Sequence, residues 1–139
     1  MEDKTGKAAL IDGKAVAFRL MEGLAAQVAT RSQKPGLAVI LVGEDPASAV
    51  YVNGKIKTCE KVGINSFEYK LPDTATSQEI ATLIDSLNAD AAVHGILLQL
   101  PLPAHLDADG LIQRIAPEKD VDGLTLSNIG KLVVGEEGM

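Results

Sequence analysis

Two apolar runs constrain this chain more than any other feature. Gly36–Val42 reads GLAVILV, and residues 91–98 read AAVHGILL. Neither alternates apolar with polar as a half-exposed strand does. A strand apolar on both faces must be covered on both, which is the habit of parallel sheets. Around these runs, apolar positions recur at helical spacing. Asp12 is placed to cap a helix running to about residue 33, with Val16, Leu20, Leu24 and Val28 on one face. Pro46–Val62 reads as a second helix stopped by Gly63, and residues 66–71 as a weaker strand. Ser77 is expected to cap a third helix reaching about residue 88, with Glu79 near its positive end. Residues 100–105 are Pro-rich and must be irregular, since proline lacks the donor a central strand needs. Residues 107–115 suggest a short helix, 116–124 a polar loop and 127–132 a last short helix. Strands alternating with helices imply right-handed crossovers. The expected fold is α/β, an open mostly parallel sheet with helices on both faces in three layers, α/β/α.

Composition agrees. Aromatic residues make up 3% and Trp is absent, so the core must come from Ala, Val, Ile and Leu. A chain of 139 residues fits one domain and needs no disulfide or metal to hold its core. Cys59 is the single cysteine and has no internal partner. The net charge of −6 is uneven. Residues 1–70 hold 10 basic and 8 acidic side chains, +2, whereas residues 71–139 hold 3 and 11, −8. That balance argues against nucleic acid and anionic membranes as partners, but not against a small anion held by a few lysines. The charged opening is unlike a signal peptide, and no apolar run is long enough to span a bilayer. The expectation is a cytoplasmic protein.

The chemistry-bearing residues gather on the second helix. Ser48, Tyr51 and Lys55 stand at i, i+3 and i+7, on one face. Val52, Ile56 and Cys59 form the neighbouring stripe, the expected core side. A lysine at the rim of the core is partly desolvated and trades protons more readily near neutrality. By spacing alone, an ordinary surface helix is the commoner outcome, and Lys57 and Lys61 fit it. Gln99 ends the second apolar run, at the carboxyl edge where open α/β sheets bind ligands. A neutral amide there can orient an amine without fixing it as a cation, or can merely satisfy loop backbone.

Asp120-Val121-Asp122-Gly123 resembles the start of a calcium loop, but the remaining ligand spacing is absent, which rules out a metal site of that kind. One of its carboxylates can grip an amidine-like edge of a heterocycle; the plainer alternative is a turn with Gly123 at positive φ. Cys59 reads as a small buried hydrophobe. His94 is expected to be a satisfied core residue within its strand, and His105 a solvated loop residue. Gly54, mid-helix beside Lys55, should cost about 1 kcal/mol relative to Ala. There is no G-x-x-x-x-G-K-[ST] and no G-x-G-x-x-G, so the chain has no recognisable phosphate cradle.

Three segments together are similar to one family's signatures. The first is residues 38–43 with Glu44-Asp45-Pro46-Ala47-Ser48, then Tyr51-Val52, Lys55, Lys57, Cys59 and Val62-Gly63-Ile64. The second is Gly95-Ile96-Leu97-Leu98-Gln99-Leu100-Pro101-Leu102-Pro103. The third is Pro117, Lys119-Asp120-Val121-Asp122-Gly123-Leu124, Asn128, Gly130 and Leu132. In that order they resemble the catalytic domain of the methylenetetrahydrofolate dehydrogenase/methenyltetrahydrofolate cyclohydrolase family. The resemblance implies oxidation of 5,10-methylenetetrahydrofolate with NADP, or sometimes NAD, and hydrolysis of the methenyl product to 10-formyltetrahydrofolate. It implies that Lys55 handles the proton of hydrolysis and that Gln99 orients Lys55. It implies that Tyr51 packs on the folate, Asp122 holds the pterin edge, Ser48 joins the Lys55 network, and Leu100 and Pro101 wall the pterin pocket. It also implies a catalytic unit over residues 1–124 and, from 125 to 139, the start of a helix toward a Rossmann cofactor domain that this chain lacks. The NADP contacts and a homodimer belong to that longer protein, so dehydrogenase activity is expected to be absent or very weak here. The competing readings are a non-catalytic folate-binding or interaction module, and an α/β signalling domain with an acidic pocket. The second of these has little support, because the acids cluster late in the chain.

Overall fold

The computed structural model describes residues 10–138. Helix α1 spans Gly13–Ala29, and the Asp12 carboxylate accepts from the backbone N–H of Lys14 (3.0 Å) and Ala15 (3.1 Å). These are donors a helix start leaves without intrahelical partners. The helix stops at Ala29, short of the expected residue 33, and Thr30 closes it. Its expected apolar face is mostly uncovered: Val28 is buried, whereas Val16, Leu20 and Leu24 are exposed. Periodicity reports a stripe, not a partner. Only the far end of α1, where Val28 abuts the Gly63 turn, is sealed.

Strand β1 (Gly36–Val42) is central, with β2 (Asn65–Leu71) and β3 (Gly95–Leu98) parallel on either side, in the order β2-β1-β3. β3 starts later than the apolar run suggests. Asp90 Oδ1 takes the Ala92 N–H at 2.8 Å and turns the chain, leaving residues 91–94 outside the strand. Helix α2 (Pro46–Val62) follows β1, with Asp45 capping it at Ser48 N and Gly63 ending it at φ 85°. Helix α3 (Ser77–Ala89) is capped by Thr76 rather than the expected Ser77. Thr76 and Glu79 cap each other reciprocally, Thr76 N to Glu79 Oε2 at 2.7 Å and Glu79 N to Thr76 Oγ1 at 3.2 Å. Then come α4 (Ala108–Arg114), a single 3-10 turn at Pro117–Lys119 and α5 (Leu126–Val134).

Pleating divides the sheet residues between two faces. Ala38, Ile40, Val42, Ile96 and Leu98 pack with Ile80, Ile84, Leu111 and Ile112 from α3 and α4. Val39, Leu41 and Leu97 pack with Val52 of α2 and the half-buried Ile56. The expected three layers and the expected core stripe of α2 are both present. No described helix is long and apolar enough to cross a membrane.

Lys119 closes α3 from outside. Its Nζ donates to the carbonyls of Leu87 (3.0 Å), Asn88 (2.8 Å) and Asp90 (2.8 Å), where the helix's partial negative charge collects. Lys119→Met keeps the stem and removes the charge. It should cost about 1.5–3 kcal/mol, the range for hydrogen bonds to a charged group. Urea unfolding checks this, and an unchanged midpoint would show the cap to be idle.

Candidate active site

Lys55 sits well inside α2, yet its amine reaches the carboxyl edge of the sheet. Side chains on a helix lean toward its N-terminus, and α2 starts at that edge. The four-carbon stem therefore runs back, and Nζ donates to Gln99 Oε1 at 3.0 Å, both residues half-buried. Gln99 is held in turn: its Nε2 donates to the Leu100 carbonyl at 2.7 Å, which aims the amide oxygen at the lysine. Neither ion pair found among the described residues, Lys70–Glu68 and Arg114–Asp85, involves Lys55. The amine thus has a neutral acceptor and an open side.

That side faces a groove of about 580 Å³, bounded by Tyr51, Gly54, Lys55 and Thr58 of α2 and by Leu24 of α1, over Leu37 and Leu97. Tyr51 is two-thirds exposed (66%), so its ring is available to a ligand. Nothing lies within 4 Å of where a Gly54 Cβ would be. The glycine therefore serves no packing contact, and Thr58 Oγ1 donates to its carbonyl at 2.9 Å.

The other expected site residues divide. Ser48 is buried and serves Asp45, whose carboxyl is held below its ordinary value first by the Ser48 backbone N–H and then by the Ser48 side chain. No hydrogen bond among the described residues joins Ser48 to Lys55. Leu100 and Pro101 are exposed beside Gln99 and do not bound the groove. Asp122 is exposed in a turn and borders a separate hollow with Gly123, Leu132 and Glu136.

Asp120 is 2% exposed. Burial pushes its carboxyl up, but hydrogen bonds from Asn128, Thr125 and Leu124 outweigh this and hold it below the usual carboxylate range. A depressed carboxyl contributes its stability fully above the unfolded value and loses it as pH falls through the folded one, so this loop is vulnerable only in acid. Burial pushes the Cys59 thiol up, the opposite of an activated nucleophile and as its sequence position suggested. His94 differs from expectation. His94 lies outside the strand and exposed, its Nδ1 accepting from Gly36 N at 3.0 Å. His105 is exposed in its loop, as expected, with Nε2 2.9 Å from the Ala75 carbonyl. One feature carried no sequence signal, the Leu100 carbonyl that orients Gln99, because any residue has one; the gap at Gly54 was signalled by a glycine inside a helical run. No group of three or more metal-ligating side chains is found among the described residues.

The fold and groove define a class: an open parallel α/β domain with an amide-held lysine at the rim of an apolar trough. The sequence pattern of the tetrahydrofolate dehydrogenase/cyclohydrolase catalytic domain matches residues 11–122, and the chain belongs to that family. It is 53% identical over 138 residues to bifunctional protein FolD 2 of Sinorhizobium medicae (strain WSM419), covering 96% of this chain and 46% of that protein. The crystal structure of the bifunctional FolD enzyme from Campylobacter jejuni superposes with a TM-score of 0.90 at 44% identity, covering 94% of this chain and 48% of that one. The Trypanosoma brucei methylenetetrahydrofolate dehydrogenase-cyclohydrolase, solved with NADP cofactor and an inhibitor, gives 0.88 at 34% identity, covering 94% and 46%. The chain spans about half the length of these relatives.

Proposed function

We propose that this chain is the folate-handling half of a bifunctional one-carbon enzyme, with Lys55 as its proton acceptor. The reactions are oxidation of 5,10-methylenetetrahydrofolate and hydrolysis of 5,10-methenyltetrahydrofolate to 10-formyltetrahydrofolate. The observation that carries the reading is the 3.0 Å contact between Lys55 Nζ and Gln99 Oε1 at the groove. The methenyl carbon is cationic. Water adds to it through oxygen and one of its protons passes to the Lys55 amine; the resulting hydroxyl then gives up its remaining proton as N5 takes one up, the carbon–nitrogen bond to N5 breaks, and the formyl group stays on N10. A fixed ammonium would repel that cation. Gln99, being uncharged, holds the lysine without demanding the ammonium form.

Tyr51 offers a flat face to the folate's aromatic portion. Asp122 is free to accept two hydrogen bonds from the pterin's amidine-like edge. Ser48 supports the site indirectly, by fixing the start of α2 through Asp45, and Leu100 and Pro101 shape the approach past Gln99.

NADP is the oxidant we assign to the whole protein, by likeness to the T. brucei relative. The β1–α2 turn does not fit its pyrophosphate: it carries Glu44 and Asp45, and Asp45 already occupies the helix-start donor at Ser48 N. We assign the dinucleotide contacts to the rest of the longer protein, where hydride transfer rests on orientation. We assign α5 the start of the connection to that part, and to the whole protein a homodimer in the cytoplasm.

Titration calorimetry with tetrahydrofolate tests the binding half of the proposal. Saturable binding, weakened about tenfold by Tyr51→Ala, is expected, since a stacked aromatic contributes on the order of 1 kcal/mol and more with its buried area. No heat of binding to the folded chain would remove the folate reading.

A further inference from the structure

We infer that Asp120 is a positioning residue for Asp122: it closes the turn that carries Asp122 and does not itself meet the ligand. The inference rests on the reading that Asp122 holds the folate. The two carboxylates stand two residues apart in one motif, and their spacing alone gives no reason to separate their roles. Their surroundings do. Among the described residues no hydrogen bond ends on the Asp122 carboxylate, whereas Asp120 spends both oxygens inside the protein. Oδ1 accepts from Leu124 N at 3.2 Å, and Oδ2 accepts from Thr125 N at 2.8 Å and Asn128 Nδ2 at 3.0 Å.

The backbone of Asp120 completes the closure. Its carbonyl accepts from Gly123 N at 3.2 Å, with Gly123 at φ 67°, so Asp122 lies within a turn bounded at both ends by bonds to one residue. On the entry side, Asp120 forms a parallel bridge with Ile96 of β3. Val121 fills the space over Gly95, where an added Cβ would meet its Cγ1 at 2.5 Å. On the exit side, Gln113 of α4 brackets the chain, Nε2 donating to the Leu124 carbonyl (3.2 Å) and Oε1 accepting from Leu126 N (2.8 Å). The turn is thereby tied to the strand that leads into Gln99. Asp122 is exposed but not loosely held, and its anchor is the buried neighbour.

Asp120→Asn keeps the shape and replaces one accepting oxygen by a donor that faces N–H groups. In the full chain it should weaken tetrahydrofolate binding about tenfold. Asp122→Asn alone should also weaken binding, and on that background Asp120→Asn should add less than about twofold, because a residue acting through another has nothing left to act on. Full additivity, or a single variant that binds like the parent, would overturn the inference. Amide hydrogen exchange supplies an independent reading. Leu124 and Thr125 should be protected in the parent and lose protection in Asp120→Asn. Rapid exchange in the parent overturns the proposal even where the variant does not fold. A parent chain that fails to bind tetrahydrofolate defeats the folate assignment, and the exchange pattern then still decides whether Asp120 closes the turn.

Discussion

Lys55→Met should lower the rate of methenyltetrahydrofolate hydrolysis by at least about 100-fold, the low end of what a positioned proton acceptor contributes. Met keeps an unbranched apolar stem of similar length in the groove, so binding should change by no more than a few-fold. The measurement is the loss of methenyl absorbance at saturating substrate, beside calorimetric binding of tetrahydrofolate to parent and variant. The separation of rate from binding is the informative part, because an interaction made only in the transition state lowers the rate without altering affinity. Hydrolysis unchanged by the substitution would remove Lys55 from the chemistry. A parent chain that binds folate and hydrolyses nothing would favour the binding-module reading, with the amide-held amine as a ligand contact.

The largest expected loss of stability comes from Gly36→Ala, far from the groove. Gly36 opens the central strand, and an added Cβ there would overlap the Ala92 carbonyl oxygen and press on the Phe67 ring. The carbonyl belongs to backbone and cannot swing aside. Gly36 itself is pinned against the same segment, because His94 N donates to the Gly36 carbonyl at 2.8 Å while Gly36 N donates to His94 Nδ1. Overpacking a tight site costs about 1–3 kcal/mol and more when backbone must move, so about 3 kcal/mol is expected. For a domain of this size that lowers the melting temperature by roughly 10 °C. Thermal unfolding followed by circular dichroism checks it, and a shift below about 2 °C would mean that the strand entry yields more easily than its bonding implies.

Much of this architecture was legible because its signals are local. GLAVILV has one reasonable home, and Pro46 and Gly63 bracket α2 by their backbone chemistry alone. The i, i+3, i+7 spacing put Tyr51 and Lys55 on one face, the family resemblance singled them out, and a helix's lean toward its N-terminus carried the amine to Gln99. What stayed hidden depended on which of several available partners, near or distant in sequence, each group takes. The stripe on α1 looks like any core-facing stripe, and only the fold reveals that Val16, Leu20 and Leu24 are uncovered. Thr76 and Ser77 are both competent caps, and one residue of register chose between them. Asp120 and Asp122 are chemically identical, so their division of labour follows from Asn128, Thr125 and Leu124. The later start of β3 follows from the Asp90 turn, which hydropathy does not register.

Gly54 leaves the wall of α2 notched directly before Lys55, with no neighbour waiting to fill the notch. A methyl placed there would cost the fold nothing in crowding and would relieve the helix of about 1 kcal/mol of glycine's penalty. It would, however, narrow the trough through which the proposed folate ring would reach the amine. The position thus sets aperture against sturdiness: the chain keeps a weaker helix, and with it a doorway whose width one carbon atom can alter.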